Sequence, residues 1–179
     1  NLFCFALVMS FGATSQAAYP VDDCPGTFSG EACNSVCALD TSGEDNEWQC
    51  DGFNLSSTEA DQITVVTGTG GTPNGIAWGK INNSTKFCCV LAMSSIDVLI
   101  VDTGAGDDTI DLKDTVAGHY WQKRSKLWAG ADDDTVSGSS YAPATGYGDM
   151  IYLEEGFDTA YGREGRDWIT ATSTDTDWD

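Results

Sequence analysis

Apolar residues recur along this chain in short alternating runs, and in no window do they keep a helical interval with caps over ten or more residues. The runs at 63–67, 76–80, 87–91, 98–101, 109–112, 135–137, 150–153, 159–161 and 168–171 are rich in Val, Ile, Thr, Tyr and Trp. Glycine, aspartate and asparagine fill the gaps between them. Alternation of this kind predicts half-buried strands separated by tight turns, so the chain reads as all-β from about residue 54 onward.

The turns repeat as well as the strands. Residues 103–111 read T-G-A-G-D-D-T-I-D: Gly104 and Gly106 permit positive φ and leave carbonyls uncovered, Asp107 and Asp108 bring carboxylates, and Ile110 points inward from the strand that follows. Residues 129–137, A-G-A-D-D-D-T-V-S, repeat the plan with Asp132 in place of the second turn glycine, then Asp134 and Val136. Residues 162–170, G-R-E-G-R-D-W-I-T, restore Gly162, Gly165, Asp167 and Ile169. Partial copies place Asp149 before Ile151 and Asp158 before Ala160, while residues 69–77 put Asn74 and Ile76 in the corresponding positions.

These residues resemble the nonapeptide G-G-x-G-x-D-x-U-x of RTX (haemolysin-type) proteins, U being a large apolar residue. Thr103 stands where the first glycine would be. The resemblance implies a parallel β-roll or β-solenoid in which two nonapeptides make one coil, with Asp149 and Asp167 on one side and Asp158 opposite. It also implies Ca²⁺ as cofactor, held in turns that contain Gly104, Gly106, Asp107, Asp108, Asp132, Asp134, Asp149, Asp158, Gly165 and Asp167. The longer intervals between earlier aspartates require insertions, and the stretch 118–127 is expected to loop out.

Stacked strands lie about 4.8 Å apart. Two carboxylates at about 5 Å repel by roughly 3 kcal/mol at an effective dielectric near 20, so several such pairs would rival the stability of a whole domain, about 5 to 15 kcal/mol. A divalent cation reverses the sign of that interaction, and all-oxygen donors in irregular geometry favour Ca²⁺ over Mg²⁺. The alternative leaves these aspartates as solvated turn caps fanned outward on unrelated loops.

Charge and cysteine content then narrow the setting. A net charge of −20 argues against nucleic acid and anionic lipid as partners, since both are recognised through Lys and Arg. The apolar run that opens the chain, followed by Ser15-Gln16-Ala17, reads as a secretory signal peptide over residues 1–17 with its start missing; it is too short to span a bilayer. Cys4 lies in that leader, and Cys24, Cys33, Cys37, Cys50, Cys88 and Cys89 form an even set suited to disulfides in an oxidising compartment. Cys88 and Cys89 would face opposite ways on a strand and so take different partners.

The division expected is a leader at 1–17, a Cys-rich cap at 18–53 stabilised by its crosslinks, and a roll at 54–179. Among enzyme signatures, no H-E-x-x-H, G-x-S-x-G or P-loop occurs, and His119 has no nucleophile pattern beside it. An EF-hand is excluded because Asp132-Asp133-Asp134 lacks the glycine and twelfth-position glutamate of that loop. Zinc is disfavoured by a single histidine and the absence of a C-x2-C knuckle. Residues 121–128 mix aromatic and basic side chains that could meet a glycan or protein partner, or could offset neighbouring acids; N-x-S/T sites occur at Asn54, Asn82 and Asn83. The expectation is a secreted calcium-binding module, not an enzyme, with a fragment of a larger secreted hydrolase, polysaccharide-modifying enzyme or adhesin as the alternative.

Overall fold

The computed structural model describes residues 27–28, 31–32, 37–50, 60–67, 74–81, 84–112 and 121–171, with side chains at 37–50, 60–65, 93–112 and 121–171. The leader, Cys24, Cys33, His119, the three glycosylation sequons and the side chains of Cys88 and Cys89 lie outside these described residues. Within them nearly everything regular is strand; one 3₁₀ turn, Met93–Ser95, interrupts the pattern. No helix among the described residues is long and apolar enough to cross a membrane.

Two short strands, β1 (Thr27–Phe28) and β2 (Glu31–Ala32), pair with each other. A hairpin follows, β3 (Cys37–Asp40) and β4 (Glu47–Cys50), whose facing ends Cys37 and Cys50 are joined by a disulfide. Then come β5 (Asp61–Thr67), β6 (Asn74–Ile81), β7 (Ser84–Ala92), β8 (Val98–Asp102) and β9 (Thr109–Asp111). The chain ends in β10 (Arg124–Trp128), β11 (Thr135–Ser137), β12 (Asp149–Tyr152), β13 (Thr159–Tyr161) and β14 (Trp168–Thr170).

Strands β3 to β14 form two six-stranded sheets. The first runs β14-β12-β10-β8-β4-β3 and the second β13-β11-β9-β5-β6-β7. From β8 onward the chain alternates between the sheets, one strand in each, so same-sheet neighbours run parallel. The parallel pairing extends back to β4 and β5, so the cysteine hairpin continues the first sheet directly. This arrangement is consistent with a β-roll.

Alternation places the core between the sheets. Leu99, Val101, Leu127 and Ile151 point in from the first sheet and Ile63, Val65, Ile110 and Val136 from the second, all of them fully buried. Each such side chain contributes about 1.5–3 kcal/mol by leaving water. Trp48 and Trp121 fill one end of this core with ring centroids 5.9 Å apart.

Two local expectations are corrected. The stretch 118–127 does not simply loop out: Arg124–Trp128 is a strand seated between β8 and β12. Ser125 and Leu127 face the core while Arg124 and Lys126 face outward, where they meet Asp45 at 2.9 Å and Glu47 at 3.0 Å. The cations on its outer face made this strand read as a loop. Of the partial copy at 69–77, residues 69–73 lie outside the described residues, and Asn74 and Ile76 fall within β6, which runs antiparallel to β5, with Asn74 paired to Ala92 of β7.

Candidate metal centre

Three turns carry the chain from the first sheet to the second and lie one above another: 103–108, 129–134 and 153–158. Strand register fixes the stacking, since Thr109 faces Thr135 and Thr135 faces Thr159. Backbone bonds tie the turns together. The Ala131 amide donates to the Gly104 carbonyl at 2.8 Å, the Gly106 amide to Ala131 at 3.0 Å, and the Glu155 amide to Gly130 at 2.9 Å.

The close approach requires glycine at Gly130, whose φ is +102° and where a Cβ would overlap the Gly104 carbonyl. Gly156 meets the Asp132 carbonyl in the same way. Asp132 itself stands at φ 84°, a left-handed conformation tolerated by aspartate better than by most residues.

Within these turns the aspartates form a column. The Asp61 amide donates to Asp108 Oδ1 at 2.7 Å, the Asp108 amide to Asp134 Oδ1 at 2.8 Å, and the Asp134 amide to Asp158 Oδ1 at 2.8 Å. Asp108 and Asp134 are each 2 % exposed, so these two are not solvated caps, whereas Asp107 and Asp132 of the same turns are exposed. The Oδ2 atoms of both are buried without a hydrogen-bond partner. Leaving a buried carboxylate oxygen unpaired costs several kcal/mol unless something neutralises it.

Burial pushes the Asp134 carboxyl up to about 8, against the pull of the Asp108 amide, and the stacked Asp108 and Asp158 carboxylates push it further the same way. The Asp108 carboxyl rises to about 6, again chiefly through burial and in spite of the Asp61 amide and the nearby Thr103 hydroxyl. A second, outer column runs the opposite way: Asp107 Oδ1 accepts from the Asp133 amide at 3.3 Å, and Asp133 Oδ1 from the Phe157 amide at 3.0 Å.

The opposite edge of the sheets differs. Asp149 and Asp167 stack there, the Asp149 amide donating to Asp167 Oδ1 at 3.0 Å. Asp149 is wholly buried, and both its oxygens are occupied. Ser125 Oγ donates to Oδ1 at 2.6 Å, the Ser139 amide to Oδ2 at 2.7 Å, and Ser139 Oγ lies 3.0–3.1 Å from both. Its carboxyl is nonetheless raised to about 6, because burial outweighs these bonds. Gly165, at φ +121°, packs against the Tyr141 carbonyl on this edge.

Thus Gly104, Gly106, Asp107, Asp108, Asp132, Asp134 and Asp158 come together on one flank, while Asp149, Gly165 and Asp167 gather on the other. Among the described residues no three His, Cys, Asp or Glu side chains converge on one point, so an ion between coils would draw most of its ligands from turn carbonyls.

Residues 124–140 and 144–173 match the family model of the RTX calcium-binding nonapeptide repeat, in four copies. The segment is an array of RTX repeats. No curated protein and no solved structure matches the chain. The turn at 103–108 lies before the matched RTX residues yet stacks in register with them.

Sequence reading missed three members of this region. Asp61 heads the column; its only signal is the half motif D-Q-I-T without the glycines. Ser125, which stands in register where an aspartate would be, and Ser139 hold Asp149, and neither is a glycine or aspartate that would mark the motif.

Proposed function

We propose that the chain is a secreted calcium-binding β-roll module in which ion binding and folding are one equilibrium, serving a binding or structural role without catalysis. The observation that carries this reading is the pair of buried, unpartnered Oδ2 atoms of Asp108 and Asp134 on adjacent coils, the second of them within the RTX match. These oxygens fit a hard cation: they are anionic, desolvated and set among carbonyl-rich glycine turns.

Asp108 and Asp134 would hold the ion together with turn carbonyls, and Asp158 continues the column. When bound, calcium supplies the positive charge that offsets the stacked carboxylates and the strongly acidic chain around them. The protein's own part is to place the carboxylates. Amide donors fix each Oδ1, the flanking Ile110 and Val136 anchor the turns in the core, and the glycines admit close approach. Export is supported by the leading apolar run and by the Cys37–Cys50 disulfide, a bond suited to an oxidising compartment.

Circular dichroism of the chain, titrated with Ca²⁺ and then with EGTA, tests the proposal. Strand signal should grow with calcium and fall with chelator. A strand signal indifferent to both would overturn it.

A further inference from the structure

We propose that the roll takes calcium on one flank only, the flank of Asp108, Asp134 and Asp158, and that the opposite flank is a metal-independent clasp closed around Asp149 by Ser125 and Ser139. This rests on the calcium reading above and assigns its site.

Three observations separate the flanks. The first is the state of the oxygens. On one side Asp108 and Asp134 each keep a buried Oδ2 without a hydrogen-bond partner. On the other, hydroxyl and amide donors from Ser125 and Ser139 reach both oxygens of Asp149. A carboxylate already accepting these bonds gains less from a cation than one whose oxygen is buried and unbonded.

The second is charge. Segments 103–108, 129–134 and 153–158 contribute two, three and three carboxylates, eight in all, and no Lys or Arg. The facing segment 138–149 holds Asp149 alone, and 162–167 sets Arg163 and Arg166 against Glu164 and Asp167. Arg163 donates to Ser137 Oγ at 3.1 Å and lies over the Tyr161 ring, while Arg166 lies over Tyr147. Guanidinium groups built into a turn raise the electrostatic cost of a cation beside it.

The third is the column itself. Along one flank, aspartate recurs at Asp61, Asp108, Asp134 and Asp158. Along the other, the positions in register with Asp149 are Trp48, Leu99, Ser125 and Asp167, so acid appears only in the last two coils. Apolar side chains and a hydroxyl occupy most of the places where acid would be needed. The extra residues of the 138–148 connection are what bring Ser139 back onto Asp149, and Gly138 leaves no room beside it: a Cβ there would fall 2.7 Å from Asp149 Oδ2.

Isothermal titration of the full chain with Ca²⁺, alongside variants, decides the matter. Asp134→Asn should lose at least one ion or weaken binding tenfold or more. Asp149→Asn and the milder Ser139→Ala should keep the wild-type stoichiometry and hold affinity within about twofold, while lowering the melting temperature equally in calcium and in EGTA. Loss of an ion in Ser139→Ala or Asp149→Asn, with wild-type protein still binding calcium, would overturn the one-flank assignment alone. A wild-type chain that binds no calcium would overturn the assignment and the calcium reading together.

Discussion

The Asp108 amide donates to Oδ1 of Asp134 at 2.8 Å, one coil away, while Oδ2 of each carboxylate stays buried and unbonded. One oxygen of each residue thus serves the backbone and the other is held in reserve. Unless a cation neutralises them, such oxygens are costly to bury, which the following expectations exploit.

Asp134→Asn preserves the Oδ1 acceptor and removes the charge. In EGTA at pH 8 the variant should melt higher than wild type, and in saturating calcium lower. Loss of affinity should reach tenfold or more, about 1.4 kcal/mol. Calorimetric melting in the two buffers checks both signs.

The pH dependence follows from burial. Asp108 and Asp134 titrate higher in the fold, at about 6 and about 8, than in an unfolded chain. The fold therefore binds more protons, and the associated stability is complete below about pH 4. It is lost as pH rises through 6 and then 8, and Asp149, also raised to about 6, adds to the same trend. In EGTA the melting temperature should fall from pH 4 to pH 9. In excess calcium the decline should shrink or reverse, since the ion competes with those protons. A melting temperature in EGTA that rises across this window would contradict the assignment.

Gly130 and Gly146 both have positive φ, +102° and +82°, but only the first sits against another coil. Gly146→Ala meets open space and should cost about 1–2 kcal/mol of backbone strain. Gly130→Ala adds the overlap with the Gly104 carbonyl and should cost more, about 2–4 kcal/mol. Chemical denaturation of the two variants in calcium measures the difference.

Removing the Cys37–Cys50 bridge, by replacing both with serine, should destabilise the chain by about 3 kcal/mol, the value for a loop of this size. Because β4 pairs directly with β8, the loss should appear as a lower melting temperature of the whole calcium-loaded roll, without a separate early transition.

Much of this architecture was legible in the sequence, because a two-residue side-chain period and a nine-residue turn period are both local. Ile110, Val136, Ile151 and Ile169 could be placed from alternation, and the opposition of Asp158 to Asp149 and Asp167 from what the RTX resemblance implies about two repeats per coil. What escaped was decided by partners distant in sequence. Asn74 fits the turn motif but opens a strand whose direction is set by its pairing with Val65, Val66 and the residues around them. Asp61 belongs to the column through a bond across 47 positions. Arg124 and Lys126 disguised a strand because their acidic partners lie 79 residues upstream.

The outer column of acceptors passes from Asp107 to Asp133 and then reaches Phe157, whose ring is 68 % exposed and accepts nothing. The two ladders therefore end differently: the inner one still closes on a carboxylate in the final full coil, whereas the outer one terminates in hydrocarbon. A layer added beyond that coil would therefore meet one carboxylate rail instead of two.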